Sequence, residues 1–188
     1  KVNKGSVKLN SKVKAEIDTE RRQAIVCNHS ATHLMHSALR NTLGDHVQQK
    51  GSLVNEEKLR FDFSHKQKLS ENEIFKIEQE VNKAISSAED TQIIETSLEE
   101  SQKLGAIAFF GEKYGEQVRV LKIAGNYSTE LCGGTHVKNS SEIKSFKIIS
   151  ETSISSGVRR IEAISGDLAI QDEADKKNDL INISETFN

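Results

Sequence analysis

A chain of 188 residues with 35% hydrophobic and 29% charged side chains is long enough to bury a core and too mixed to be a disordered tail. No apolar run approaches the roughly 18 residues of a membrane span. A net charge of -2 excludes a protein that coats nucleic acid by charge alone, so any RNA contact has to be local.

The two cysteines, Cys27 and Cys132, are too few for a disulfide scaffold. With no signal segment in view they point to a reducing cytoplasmic setting, where metal binding or thiol chemistry suits one of them. The chain opens at Lys1, and its single methionine is Met35, so it reads as a piece of something longer.

Residues 1–20 carry Val2, Val7, Leu9, Val13, Ala15 and Ile17 among lysines, a loose alternation expected of the end of a preceding β-rich unit. In the next segment Leu34, Ala38 and Leu39 recur at helical spacing, with Asn28 as the expected cap and Gly44 as the stop. Two short strands are expected around Val47 to Val54 and Leu59 to Phe63, joined by a turn at Asn55-Glu56-Glu57.

Ser70 and Glu73 form a capping-box pattern ahead of an apolar stripe of Ile74, Ile77, Val81, Ala84, Ile85 and Ala88, which predicts a helix lying on a sheet. A strand at Thr91 to Glu95 leads to Ser97 and Glu100, a second such pattern, opening a short helix that Gly105 ends. Gln117 to Ile123, Ile143 to Glu151 and Gly157 to Ile164 are rich in Val and Ile and read as strands.

Helix and strand mix without βαβ alternation, which predicts an α+β fold with a mostly antiparallel sheet packed with helices. Beyond Gly166 the chain turns polar, as for a solvated helix. The expected division is 1–20, then a functional domain over 21–166, then the start of a polar helical segment over 167–188.

His29 and His33 stand four apart, so on a helix their imidazoles share a face about one turn apart. Cys132 and His136 repeat that spacing much later, and the two pairs together supply the nitrogen and sulfur donors of a tetrahedral zinc site. Ser30 follows His29 where a metalloprotease would carry glutamate, so this is not HExxH.

Each feature also has a plainer reading. Histidines at this spacing occur as hydrogen-bonded surface residues, and Cys132 before Gly133-Gly134 could be a reduced cysteine in a tight turn. His36 returns to nearly the same helical face as His29, so spacing alone leaves it in contention as a ligand. Cys27, beside Ile25 and Val26, is assigned to the core.

Taken together, NHSATHLMHSALR, HVQQKGSLV, LRFDFSH, ELCGGTHV and GVRRIEAISG resemble, in this order, the editing domain of alanyl-tRNA synthetases, over roughly Arg21 to Gly166. HxxxH and CxxxH are shared with the threonyl-tRNA synthetase editing domain and with free-standing AlaX deacylases, but the CGGTH, RFDFSH and VRRIEA blocks look more like the alanyl family.

The resemblance implies the α+β fold common to threonyl- and alanyl-tRNA synthetases, with a zinc site in a cleft. It implies Zn2+ held by His29, His33, Cys132 and His136, through which the catalytic role of those residues would run. The implied reaction removes serine or glycine from tRNA(Ala). It assigns His36 away from the metal and makes Thr32 and Gln49 substrate-binding residues near the aminoacyl group. No ATP-binding segment is recognisable, so ATP-dependent attachment of alanine would belong to another part of the parent enzyme.

Hydrolysis of an aminoacyl ester needs an activated water and stabilisation of the developing oxyanion. Four protein ligands fill a tetrahedral shell, which leaves two roles open for zinc: activating water after a ligand shifts, or anchoring the α-amino group while a separately held water attacks. Two further readings stand beside this one, an AlaX-type deacylase acting in trans and a non-catalytic, zinc-stabilised tRNA-binding module. Arg21-Arg22, Lys66 with Lys68, Arg159-Arg160, and Lys50 beside Gly51 are the local cations that could meet RNA phosphates.

Overall fold

Helix α1 (Thr19–Leu43) starts well before Asn28. The computed structural model, which describes residues 4–108 and 114–186, shows Asp18 as the cap, its carboxylate accepting from the Arg21 backbone N–H at 3.0 Å. Asn28 is instead a buried mid-helix tie. Its side-chain amide donates to the Asn55 carbonyl (2.9 Å) and its oxygen accepts from the Ser165 hydroxyl (2.8 Å). A short polar residue favours a cap because it competes for local backbone groups, but here distant partners satisfy it.

Ahead of α1, residues 4–18 form no strand, and Val7, Leu9, Val13 and Ile17 are exposed. Among the described residues their alternation meets no partner strand that could bury one face. Lys1 and Val2 lie outside the described residues. At the other end of α1, Gly44 closes the helix at φ 113°, donating its N–H to the Arg40 carbonyl.

The remaining elements are β1 (Gln49–Val54), β2 (Leu59–Ser64), α2 (Glu71–Ser86), β3 (Gln92–Ser97), α3 (Leu98–Lys103), β4 (Gln117–Ile123), β5 (Ser128–Leu131), β6 (Phe146–Ser155), β7 (Val158–Ser165) and α4 (Asp167–Thr186), with a 3-10 turn at Ser140–Ile143 before β6. The fold is α+β. The strands form two antiparallel sheets, ordered β1-β2-β7-β6 and β3-β4-β5.

The β1–β2 turn forms where expected, with the Asn55 side chain accepting from the Glu57 and Lys58 backbone N–H groups. The Ser70 and Glu73 capping box is complete in both directions, and Ser97 caps α3. Strand β5 had no sequence expectation, being four residues with no apolar alternation.

Helix α1 touches strands of both sheets, and its middle is buried on every side, from Val26 through Leu39 except for a partly exposed His29. The main core joins α1 to Leu59, Phe61 and Phe63 of β2, Ile77, Val81 and Ile85 of α2, and Ile161 and Ala163 of β7. Helix α2 therefore packs on α1 and the 3-10 turn as well as on β6, where a sheet alone was expected.

A smaller cluster, Val118, Val120 and Leu131, stabilises the three-stranded sheet. Past β7, α4 is polar and largely exposed beyond the buried Ala169. No helix among the described residues is long and apolar enough to cross a membrane.

Candidate metal centre and cleft

Because α1 is wedged between the sheets, its histidine face meets the end of β5. The four side chains singled out by spacing come together: one donor atom each from His29, His33, Cys132 and His136 lies within 4.8 Å of the others. The ring centroids of His29 and His136 are 4.5 Å apart, those of His29 and His33 5.0 Å, and those of His33 and His136 5.1 Å.

The residues fit a metal ion on three grounds. Both ring nitrogens of His136 are buried and have no hydrogen-bond partner among the described residues, which is costly unless something else fills the gap. One thiol and three imidazoles are the donor chemistry of zinc rather than of calcium or magnesium. Finally, Gly134 keeps the space open, since a Cβ there would stand 2.3 Å from His29 Cε1 and 3.5 Å from the Cys132 sulfur.

The loop that carries Cys132 is held from below by Arg119 on β4. One guanidinium nitrogen, Nη1, donates to the Cys132 carbonyl (3.0 Å) and the Gly134 carbonyl (2.6 Å). The Gly134 backbone N–H donates to the Cys132 sulfur at 3.5 Å. Spacing gives no hint of Arg119, whose role depends on the β4–β5 pairing that sets it beside the loop.

Glu130 is the other functional residue that sequence reasoning missed. It is 1% exposed, and each carboxylate oxygen accepts from one imidazole: Oε2 from His33 Nδ1 at 2.5 Å, Oε1 from His36 Nδ1 at 2.8 Å. This settles the position of His36, which stands behind the donor set and not within it. A glutamate inside the ELCGGTH block could have been suspected as a partner for the histidines, but its burial was not legible.

Burial works against every charge in this cluster, and the mutual contacts outweigh it. His33 and His36 hold the Glu130 carboxyl well below the ordinary carboxylate range. Glu130 and Cys132 raise His33 to about 10. The surrounding rings of His136, His29 and His33 pull the Cys132 thiol down to about 3. Burial lowers His136, so it stands as a neutral ring. A thiolate and a neutral imidazole are the ligating forms of those side chains, so His33 has to give up its Nε2 proton as an ion binds, while Nδ1 keeps its bond to Glu130.

Three of the donor residues, His29, His33 and Cys132, line a cleft of about 380 Å³, which Thr32, Gln49 and Arg119 also line. Thr32 donates its hydroxyl proton to the Asn28 carbonyl at 2.8 Å, so toward the cleft it can only accept. Gln49 opens β1 and is half-buried.

Comparison with known proteins agrees with this architecture. Residues 118–162 match the family described as the threonyl and alanyl tRNA synthetase second additional domain. Proteins named alanine–tRNA ligase align over most of the chain: 54% identity over 166 residues in Alkaliphilus metalliredigens, covering 88% of this chain and 19% of that protein. In Xanthomonas axonopodis pv. citri the identity is 50% over 181 residues, covering 96% of this chain and 20% of that protein.

The chain corresponds to one region of the alanine–tRNA ligases, the region that carries the second additional domain.

The chain spans about a fifth of the length of the curated alanine–tRNA ligases it matches. Within this alanine–tRNA ligase region, the family match begins on β4 and ends in β7, so it takes in Arg119, Glu130, Cys132 and His136 but none of the three histidines of α1. The donor set thus combines residues from inside and outside the matched segment.

The basic residues divide by geometry. Arg159 and Arg160 are both engaged, with Glu151 and Asp62 respectively, in paired ion contacts across the sheet. Arg21 pairs with Glu56. Lys66 and Lys68 are exposed on the loop after β2.

Proposed function

We propose that the cleft hydrolyses the ester linking serine or glycine to tRNA(Ala), with Zn2+ held by His29, His33, Cys132 and His136. The observation that carries the reading is the convergence of those four donors, three of which, His29, His33 and Cys132, line a cavity sized for an aminoacyl group. On this reading residues 21–166 are the editing unit, bounded by the end of a preceding unit over 1–20 and a further helical segment from 167.

When bound, the zinc ion supplies Lewis acidity to the site, stabilising negative charge as the ester is cleaved. The chain's own groups do the rest. Thr32 accepts a hydrogen bond from the serine hydroxyl, and Gln49, which also lines the cleft, holds the aminoacyl group. Phe61, on the cleft lining, keeps water from its inner end. Arg119 keeps the Cys132 loop in place while the substrate enters. Lys50, exposed and next to Gln49 in the chain, meets the phosphates of the RNA terminus on this reading, and the aminoacylation of tRNA(Ala) with ATP belongs to the remaining length of the parent enzyme.

The test is a deacylation assay with serine, glycine and alanine each loaded on tRNA(Ala), run on metal-replete and chelated protein. Release of serine and glycine but not alanine, lost on chelation while the helical circular dichroism persists, supports the reading. Loss of fold together with activity supports a closed structural metal site instead, and no release from metal-replete protein overturns catalysis.

A further inference from the structure

Helix α1 offers three imidazoles toward β5, yet two of them join the donor set and the third does not. The difference lies in Glu130. Its carboxylate is buried on a β5 position fixed by pairing with Leu121, and it is reached by His33 and His36 from 97 and 94 residues away in sequence.

An ionised carboxylate only accepts hydrogen bonds. Both imidazoles approach it through Nδ1, so both Nδ1 atoms carry a proton. For His33 this leaves Nε2 as the nitrogen turned to the donor set. For His36 it commits the ring to Glu130.

We propose that Glu130 is the positioning residue that selects the metal ligands, fixing His33 with Nε2 toward the ion and holding His36 out of the ligand set. The proposal rests on the metal reading given above. Glutamine in its place offers one accepting oxygen and one donating amide, so it can receive the Nδ1 proton of only one of the two rings. The other ring has to lose its bond or move its proton to Nε2, and a His33 so changed cannot ligate.

The experiment uses the 188-residue chain labelled with 15N-histidine and loaded with zinc. Long-range proton–nitrogen spectra give the protonated nitrogen of each ring, and competition with a chromogenic chelator gives zinc affinity for the wild type and Glu130→Gln. The expected result is a proton on Nδ1 of both His33 and His36 in the wild type, with one of those signals lost in the variant. Zinc binding should weaken roughly 10- to 100-fold.

A merely structural glutamate would leave the ring protons where they were. A wild-type His36 or His33 protonated on Nε2 overturns the proposal, and this spectrum decides even where Glu130→Gln does not fold. A folded Glu130→Gln with unchanged zinc affinity overturns it too. Those outcomes leave the metal reading standing, whereas a wild type that takes up no zinc overturns both.

Discussion

The Cys132 sulfur lies 3.6 Å from Nε2 of His29 across 103 residues of sequence. Gly134 is what permits that approach, because any Cβ at its position falls inside the His29 ring. Gly134→Ala should therefore displace His29 or the loop and weaken zinc binding at least roughly 10-fold, comparable to the loss of a supporting contact. Zinc content after dialysis, measured with the thermal midpoint, checks this. Full zinc retention would show that the loop has room to spare.

Discrimination between serine and alanine is expected to depend on Thr32 and Gln49. The Thr32 proton is spent on the Asn28 carbonyl, so the serine hydroxyl must be the donor in that pair. Thr32→Val and Gln49→Ala should each slow serine release by roughly 1–3 kcal/mol of barrier, or about 5- to 150-fold, with little effect on glycine release. Single-turnover rates on the two charged tRNAs measure it. Equal slowing of both would assign these residues to packing.

The two pairs of basic residues should behave in opposite ways. Arg160 makes a two-point contact with Asp62, whose side chain is 8% exposed. Arg160→Ala leaves that buried carboxylate only Arg60, 3.8 Å away, and should lower the midpoint of urea unfolding. It should leave the salt dependence of tRNA affinity as it was. Lys66→Ala with Lys68→Ala should do the reverse, preserving stability and flattening the salt dependence.

Ser70→Ala removes the cap of α2 and should cost about 0.5–2 kcal/mol. The cap also carries a pH dependence. The backbone and side chain of Ser70 lower the Glu73 carboxyl below its ordinary 4.5 in the folded state. A carboxyl lowered on folding contributes stability above its unfolded value, and that contribution fades as pH falls through the folded one. The difference in unfolding midpoint between the wild type and Ser70→Ala should therefore shrink below about pH 4; a constant gap would assign the cap to the hydroxyl alone.

Much of the fold was legible because local rules were obeyed locally. The Ser70 box, the turn at Asn55 and the Val- and Ile-rich run of β4 each form where short-range chemistry places them. Asn28 misled because its partners are Asn55 and Ser165, not its own helix end. Residues 4–18 alternate without forming a strand among the described residues, since alternation creates a strand only where another strand pairs with it.

For the site, the sequence by itself determined the candidates: helical periodicity puts His29 and His33 on one face, with His36 close to it, and a short loop keeps Cys132 near His136. Only the tertiary structure decided that the two pairs meet, that His36 stands aside, and that Arg119 and Glu130 take part. The reason is physical. Residue spacing constrains neighbours along one element, whereas burial of α1 between two sheets fixes which distant side chains share a solvent-free space, and there every polar atom must find a partner.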